Sequence, residues 1–206
     1  MTMTLLLLIR HGMTDATGHR LSGRAPGLHL NAIGRTQSEE LAGRLEDLKI
    51  DVVYSSPLER CRETAAPLAA ANGLRVRQRS KLAEVDYGEW TNRSLRQLSR
   101  TKLWATVQGS PSTVRFPSGE SLLEVQQRMI AETEGLAAEH ADSTIALFSH
   151  GDPLRLLLAH YLGLHVDLFQ RLVVSPASVS AVAISPHGPR VLRMNDDGPI
   201  GRKLRG

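Results

Sequence analysis

Short, unbroken apolar runs alternate along this chain with longer segments whose apolar residues recur at helical spacing. Leu5-Leu6-Leu7-Leu8-Ile9 stops abruptly at Arg10-His11-Gly12, and Ile145-Ala146-Leu147-Phe148 stops at Ser149-His150-Gly151. A short apolar run bounded by polar residues and glycine reads as a strand buried on both faces. Asp51-Val52-Val53-Tyr54 is a second β-prone run, and Leu74–Gln78 alternates as a half-exposed strand would. Ser178–Ile184 and Arg190–Met194 read as two strands joined by the turn Pro186-His187-Gly188-Pro189.

Helices fill the intervals. Ile33, Leu41, Leu45 and Leu48 give an amphipathic helix over about 32–47, with Asn31 as its N-cap. A second helix spans about 58–72 and closes at Asn72-Gly73. Ser94–Val107 reads as one helix with Leu95, Leu98, Leu103 and Val107 inward. Ser121 and Glu124 have the spacing of a capping box, which opens a helix over about 122–139. A last helix follows Pro153, carries Leu154, Leu157, Leu158 and Tyr161, and stops near Gly163. Residues 12–30 form a loop leaving the first strand, 80–90 a structured loop, and 195–206 a polar, mobile tail. Gly109, Pro111, Pro117 and Gly119 mark a long connection, so about 85–120 is expected to cover an active site.

Alternating strands and helices predict an α/β fold: a three-layer α/β/α sandwich with a mainly parallel central sheet and an antiparallel edge strand. No repeat, low-complexity segment or linker divides the chain, so 1–206 is read as a single domain. The composition, 41% hydrophobic and 22% charged, is that of an ordinary globular protein. A net charge of +4 is spread along the chain and aromatics make up 4%, so neither a basic stripe nor a stacking platform for nucleic acid is present. The leucine run is five residues long before Arg10, too short to span a membrane or to direct secretion. One cysteine, Cys61, excludes an intrachain disulfide and favours a reducing, cytoplasmic setting. The pattern leaves room for a homodimer through the sheet edge.

The chemistry gathers at strand ends, where open α/β sheets bind their ligands. The first strand delivers Arg10, His11 and Gly12; the second delivers Ser55, Ser56 and, a turn later, Arg60; the run at 144–148 delivers Ser149, His150 and Gly151. Any one of these has an ordinary explanation, a loop histidine or a solvated arginine. Together they place two arginines and two histidines at one sheet edge, with the histidines facing one another across an anion. Arginine's planar fork matches phosphate. A histidine among positive charges stays neutral and keeps a lone pair for nucleophilic attack. The glycines let backbone come close to a ligand. The histidines lack the spacing of a zinc helix and no acidic cluster suggests paired metals, so neither metal nor cofactor is expected.

Leu8-Ile9-Arg10-His11-Gly12-Met13-Thr14 resembles the signature of the histidine phosphatase superfamily, in its phosphoglycerate mutase-like branch. The likeness continues in family order through Leu30–Gln37, Tyr54–Ala65, Leu82–Trp90, Phe116–Ser121 and Ser149–Asp152, nearly the whole chain. The resemblance implies that His11 is a nucleophile that becomes phosphohistidine. It implies that Arg10, Arg60 and His150 hold the phosphoryl oxygens and that Glu84 is the general acid and base. Gly12, Thr17, Ser22, Gly23, Arg62 and Gly151 would line the phosphate or substrate side. Thr17 stands where many relatives carry Asn, Met13 where Glu or Gln is usual, and Cys61 where a small residue is common. The short segment between Glu84 and His150 favours a metal-independent phosphatase for a small phosphomonoester. A cofactor-dependent phosphoglycerate mutase, a silent phospholigand-binding module and a metal-dependent phosphatase are the alternatives.

Overall fold

The computed structural model describes residues 3–198. In chain order the strands are β1 (Thr4–Arg10), β2 (Arg20–Leu21), β3 (Val52–Ser55), β4 (Val76–Gln78), β5 (Arg93–Ser94), β6 (Thr144–Ser149), β7 (Val179–Ser185) and β8 (Gly188–Asp196). The helices are α1 (Ala32–Arg44), α2 (Glu59–Ala71), α3 (Leu95–Leu98), α4 (Lys102–Gly109), α5 (Leu122–Glu139) and α6 (Gly151–Tyr161). Six strands form the central sheet in the order β4-β3-β6-β1-β7-β8. β4, β3, β6 and β1 are parallel; β7 runs antiparallel to both β1 and β8, so the antiparallel pairing falls at the expected edge.

The unbroken leucine run is explained by burial on both faces. Leu5, Leu7 and Ile9 pack with Leu41, Leu45, Ala65 and Leu68 beneath α1 and α2. Leu6 and Leu8 join Met129, Leu136, Leu154 and Leu158 beneath α5 and α6. Each fully buried leucine contributes about 1.5–3 kcal/mol, so this strand is anchored from two sides. Register then brings the carboxyl ends level: Arg10 pairs with Ser149, and Ser55 with Phe148. Three adjacent parallel strands therefore release their chains at one place.

Helix ends follow the sequence closely where side chains cap them. Asn31 accepts from the Gly34 amide at 2.9 Å and starts α1. Ser121 and Glu124 form both halves of the capping box that starts α5. Gly73, at φ +64°, ends α2 in the left-handed region where glycine is favoured. Three expectations are corrected. Ile33 is 59% exposed, because the inner face of α1 is Gly34, Ser38 and Leu41 instead. Residues 94–107 are two helices, because Thr101 accepts from the Trp104 amide and begins α4 afresh. The last helix starts at Gly151, ahead of Pro153, which sits in the first turn where its missing N–H costs nothing.

A two-stranded ribbon, β2 with β5, was not expected; two residue pairs are too short to leave a periodic signal. Of the polar tail, Asn195 and Asp196 belong to β8, and residues 199–206 lie outside those described.

The loop after β1 is set by glycine contact. A Cβ on Gly34 would lie 2.1 Å from the Met13 carbonyl oxygen, and one on Gly12 would lie 2.7 Å from the Gly34 oxygen. Backbone meets backbone here, so neither side can yield. Gly34→Ala is expected to destabilise the protein by about 1–3 kcal/mol despite alanine's better helix propensity. Thermal unfolding would show a melting point lower by several degrees; an unchanged or raised melting point would contradict the contact.

Candidate active site

The end of β1 brings Arg10 and His11 to a cavity of about 540 Å³, and the helices that follow β3 and β6 bring Arg60 and Gly151 to it. His11 is 6% exposed; its backbone N–H donates to the Ser149 carbonyl at 3.0 Å, which locks it to the end of β6. Its Nδ1 lies 2.7 Å from the Gly12 carbonyl oxygen. A carbonyl only accepts, so Nδ1 carries the hydrogen and Nε2 keeps its lone pair. Burial, then the Arg60 and Arg10 guanidiniums, hold the His11 imidazole well below the usual histidine range. It is neutral near pH 7.

The two arginines supply open donors. Arg60 is 1% exposed and donates through Nη2 to the Gly23 carbonyl at 2.9 Å, while its buried Nη1 has no partner among the described residues. Arg10 donates through Nη1 to the Val174 carbonyl at 2.7 Å, while its buried Nε has none. Each guanidinium is thus fixed by one carbonyl and keeps an N–H unused. Leaving such groups unsatisfied is costly, and an anion on the cavity floor would satisfy them.

Glu84 lies in the loop before α3 and lines the same cavity. Its carboxyl is pushed up to about 7, first by burial and then by the Asp152 carboxylate, against the pull of Arg60 and Arg10. Two arginines grip this residue by its main chain: Arg24 Nε and Arg128 Nη2 donate to its carbonyl oxygen at 2.9 and 3.1 Å. Glu120 ties these arginines together, 2.9 Å from each.

Not every expected residue reaches the cavity. His150 is fully buried, and its ring meets that of His11 edge-on with centroids 5.2 Å apart, so the two do not face one another across an anion. The reason is local. His150 Nε2 is turned to Ser56 Oγ at 2.8 Å, and its Nδ1 is 3.9 Å from Glu84 Oε2. Arg62 is exposed and away from the cavity lining: Arg60 and Thr64, four residues apart, take the inner face of α2, which turns position 62 outward. Gly12 and Gly23 sit behind the lining. Gly12 donates its N–H to Thr64 Oγ1 at 3.0 Å, and Gly23 supplies the carbonyl that holds Arg60. Thr17, Ser22 and Gly151 do line it. Thr17 Oγ1 accepts from the Thr14 amide at 3.1 Å, and Gly151 is small enough for the Arg10 guanidinium to lie 3.4 Å from where a Cβ would be.

Sequence reasoning missed Asp152, Tyr87 and Arg155. Tyr87 Oη donates to Asp152 Oδ2 at 2.7 Å, and Arg155 Nη1 donates to Asp152 Oδ1 at 3.1 Å. The signal was present: Asp152 follows His150 by two residues and stands three before Arg155 on one helix. Cys61 Sγ is 3.4 Å from His150 Nε2, and burial pushes its thiol up to about 12, which keeps it un-ionised. Among the described residues no group of three or more His, Cys, Asp or Glu side chains is placed to hold a metal ion. No helix among them is long and apolar enough to cross a membrane.

Arginine and histidine gathered at the carboxyl edge of a parallel sheet, beside a loop glutamate whose carboxyl is pushed up to about 7, set the class of this protein. The family model of the histidine phosphatase superfamily (branch 1) matches residues 6–197, and the chain belongs to that superfamily. It is 29% identical over 201 residues to Phosphoserine phosphatase 1 of Hydrogenobacter thermophilus, covering 94% of this chain and 92% of that protein. It is 33% identical over 183 residues to a Klebsiella pneumoniae protein named Probable phosphoglycerate mutase GpmB, covering 87% and 85%. The crystal structure of the alpha-ribazole phosphatase from Shigella flexneri superposes with a TM-score of 0.83 at 28% identity, covering 94% of this chain and 97% of that one.

Proposed function

We propose that this protein is a metal-independent phosphomonoester hydrolase that works through a phosphohistidine on a small phosphorylated metabolite. The observation that carries the reading is the buried, neutral His11, its Nε2 lone pair free, between two guanidiniums that each keep an unused N–H. A phosphoryl group held by Arg10 and Arg60 would have its charge met by fixed donors that need no reorganisation. The N-terminus of α6 at Gly151 adds the positive end of a helix dipole.

His11 Nε2 attacks phosphorus in line, and the P–O bond to the leaving alcohol breaks. Glu84, protonated below about pH 7, gives its proton to that oxygen. The ionised Glu84 then takes a proton from water, which attacks the phosphohistidine; phosphate leaves and His11 is neutral again. His150 works from behind as a positioning residue, touching His11, Ser56 and Glu84. Thr17 and Ser22 contact substrate. Residues 85–120 cover the site, since Tyr87, Trp90, Leu95, Trp104 and Phe116 all line the cavity. A single cysteine, Cys61, with no intrachain disulfide to form, suits a cytoplasmic setting.

A direct test mixes the protein with a panel of phosphomonoesters, with and without EDTA, and quenches samples early in turnover. Phosphate release insensitive to the chelator, with an acid-labile phosphoryl label on the protein, is the expected result. Chelator-sensitive turnover would point to a metal-dependent phosphatase. Exchange between phosphoglycerates that needs a bisphosphorylated primer would point to a mutase, a reading favoured by the relative of that name. Phosphate binding without turnover would point to a silent binding module.

A further inference from the structure

The cavity has two unlike halves. The floor is polar and is formed by Arg10, His11, Arg60, Glu84 and the start of α6. The opposite wall comes from the ribbon, the loop after it, α3 and α4. There Leu21, Leu28, Leu95 and Trp104 are each only partly buried and turn their remaining surface into the cavity. Trp104 stacks on Trp90 at a centroid distance of 6.3 Å, and Trp90 in turn meets Phe116 at 5.5 Å, so the aromatic lining is continuous. Large apolar side chains left partly exposed on one concave surface mark a binding surface for apolar matter.

The charges beyond the floor are few. Asp152 and Arg155 are paired with each other at 3.1 Å, Asp152 also takes the Tyr87 hydroxyl, and the buried Nε of Arg155 has no partner among the described residues. Arg20, the other charged lining residue, is exposed to solvent. The volume of about 540 Å³ is far more than a phosphate group fills, and sits within the roughly 300–1,000 Å³ usual for sites that enclose a whole small molecule.

We infer that the alcohol released at this site carries a bulky apolar or aromatic body, which lies against Trp104, Leu95, Leu21 and Leu28 while its phosphate rests on Arg10 and Arg60. The inference rests on the phosphatase reading above and names its substrate class. A small leaving group such as serine would leave this apolar wall uncovered, whereas a bulky apolar one removes it from water.

The test is steady-state kinetics on alkyl phosphates whose leaving alcohols are similarly acidic, so that chemistry is held constant while bulk changes. Ethyl, 2-phenylethyl and 2-naphthylethyl phosphate are compared with phosphoserine and 3-phosphoglycerate. The expected result is a kcat/KM that climbs at least about tenfold from ethyl to naphthylethyl, with phosphoserine below the naphthylethyl ester. Trp104→Ala should lower the naphthylethyl-to-ethyl ratio about tenfold, chiefly through KM. Leu28→Asp, on a loop, should do so by placing charge on the wall, which keeps the test alive if removing the indole unfolds α4. Phosphoserine or phosphoglycerate turned over as well as the naphthylethyl ester would overturn the inference and leave the phosphatase standing. So would variants that slow both esters in equal proportion. Hydrolysis of none of these esters by the unaltered protein would overturn the phosphatase reading itself.

Discussion

His11→Ala is expected to lose at least about 10⁴-fold in kcat and all of the acid-labile phosphoryl label. The size follows from what is removed. On the proposed route, attack by Nε2 splits hydrolysis into two easier displacements, and without it water must attack the phosphoester directly. Removal of a nucleophile from a site whose parts act as a unit typically costs such factors, with some residual acceleration from the remaining electrostatics. Arg10 and Arg60 are held by the Val174 and Gly23 carbonyls and not by His11, so the anion site survives the substitution. Binding of inorganic phosphate, followed by calorimetry, should therefore persist in the variant. Full turnover by His11→Ala would eliminate the phosphohistidine route.

For Glu84→Gln, two effects of opposite sign are expected. Turnover of alkyl phosphates should fall about 10²–10⁴-fold, the usual worth of a positioned acid, and much less for p-nitrophenyl phosphate, whose leaving group departs without a proton. Stability should rise. The folded carboxyl titrates near 7 against an ordinary 4.5, so the folded state binds more protons than the unfolded state between those values. Stability of the unaltered protein then declines as pH rises through that window, by on the order of 3 kcal/mol in total. A glutamine has no such decline. The variant should melt several degrees higher at pH 8, with the gap closing toward pH 5. The same ionisation should make kcat/KM of the unaltered enzyme fall above about pH 7, while the depressed His11 leaves the acid side open. A melting-point gap that ignores pH would show that Glu84 is not protonated in the fold.

The sheet and the residues at its strand ends were legible because their signals are dense and local. Five consecutive apolar residues that end at Arg10-His11-Gly12 describe a doubly buried strand and its reactive end in one phrase. The same holds for the run ending at His150. Ser121 and Glu124 fix the start of α5 through hydrogen bonds that span three residues. What stayed hidden depends on contacts distant in sequence. The ribbon pairs Arg20 with Ser94 over two residues only, and nothing at either position announces the other. The break at Thr101 could have been read from its capping hydroxyl, but the leucine spacing across it ran on without interruption. His150 was expected opposite His11, yet which way a ring turns is decided by Ser56 on another strand end. Asp152 and Tyr87 acquire meaning only once α6 and the Glu84 loop are side by side.

The contact between Gly34 and the loop at Met13 reaches further than stability. The nitrogen of His11 that keeps its lone pair is set by the carbonyl of the very next residue, Gly12. The chain at Gly12 and Met13 that carries this carbonyl lies tightly against Gly34 in α1. A helix position that lines no part of the cavity thereby backs the turn beside His11. Selection on the nucleophile's reactivity would register as the exclusion of a methyl group from α1.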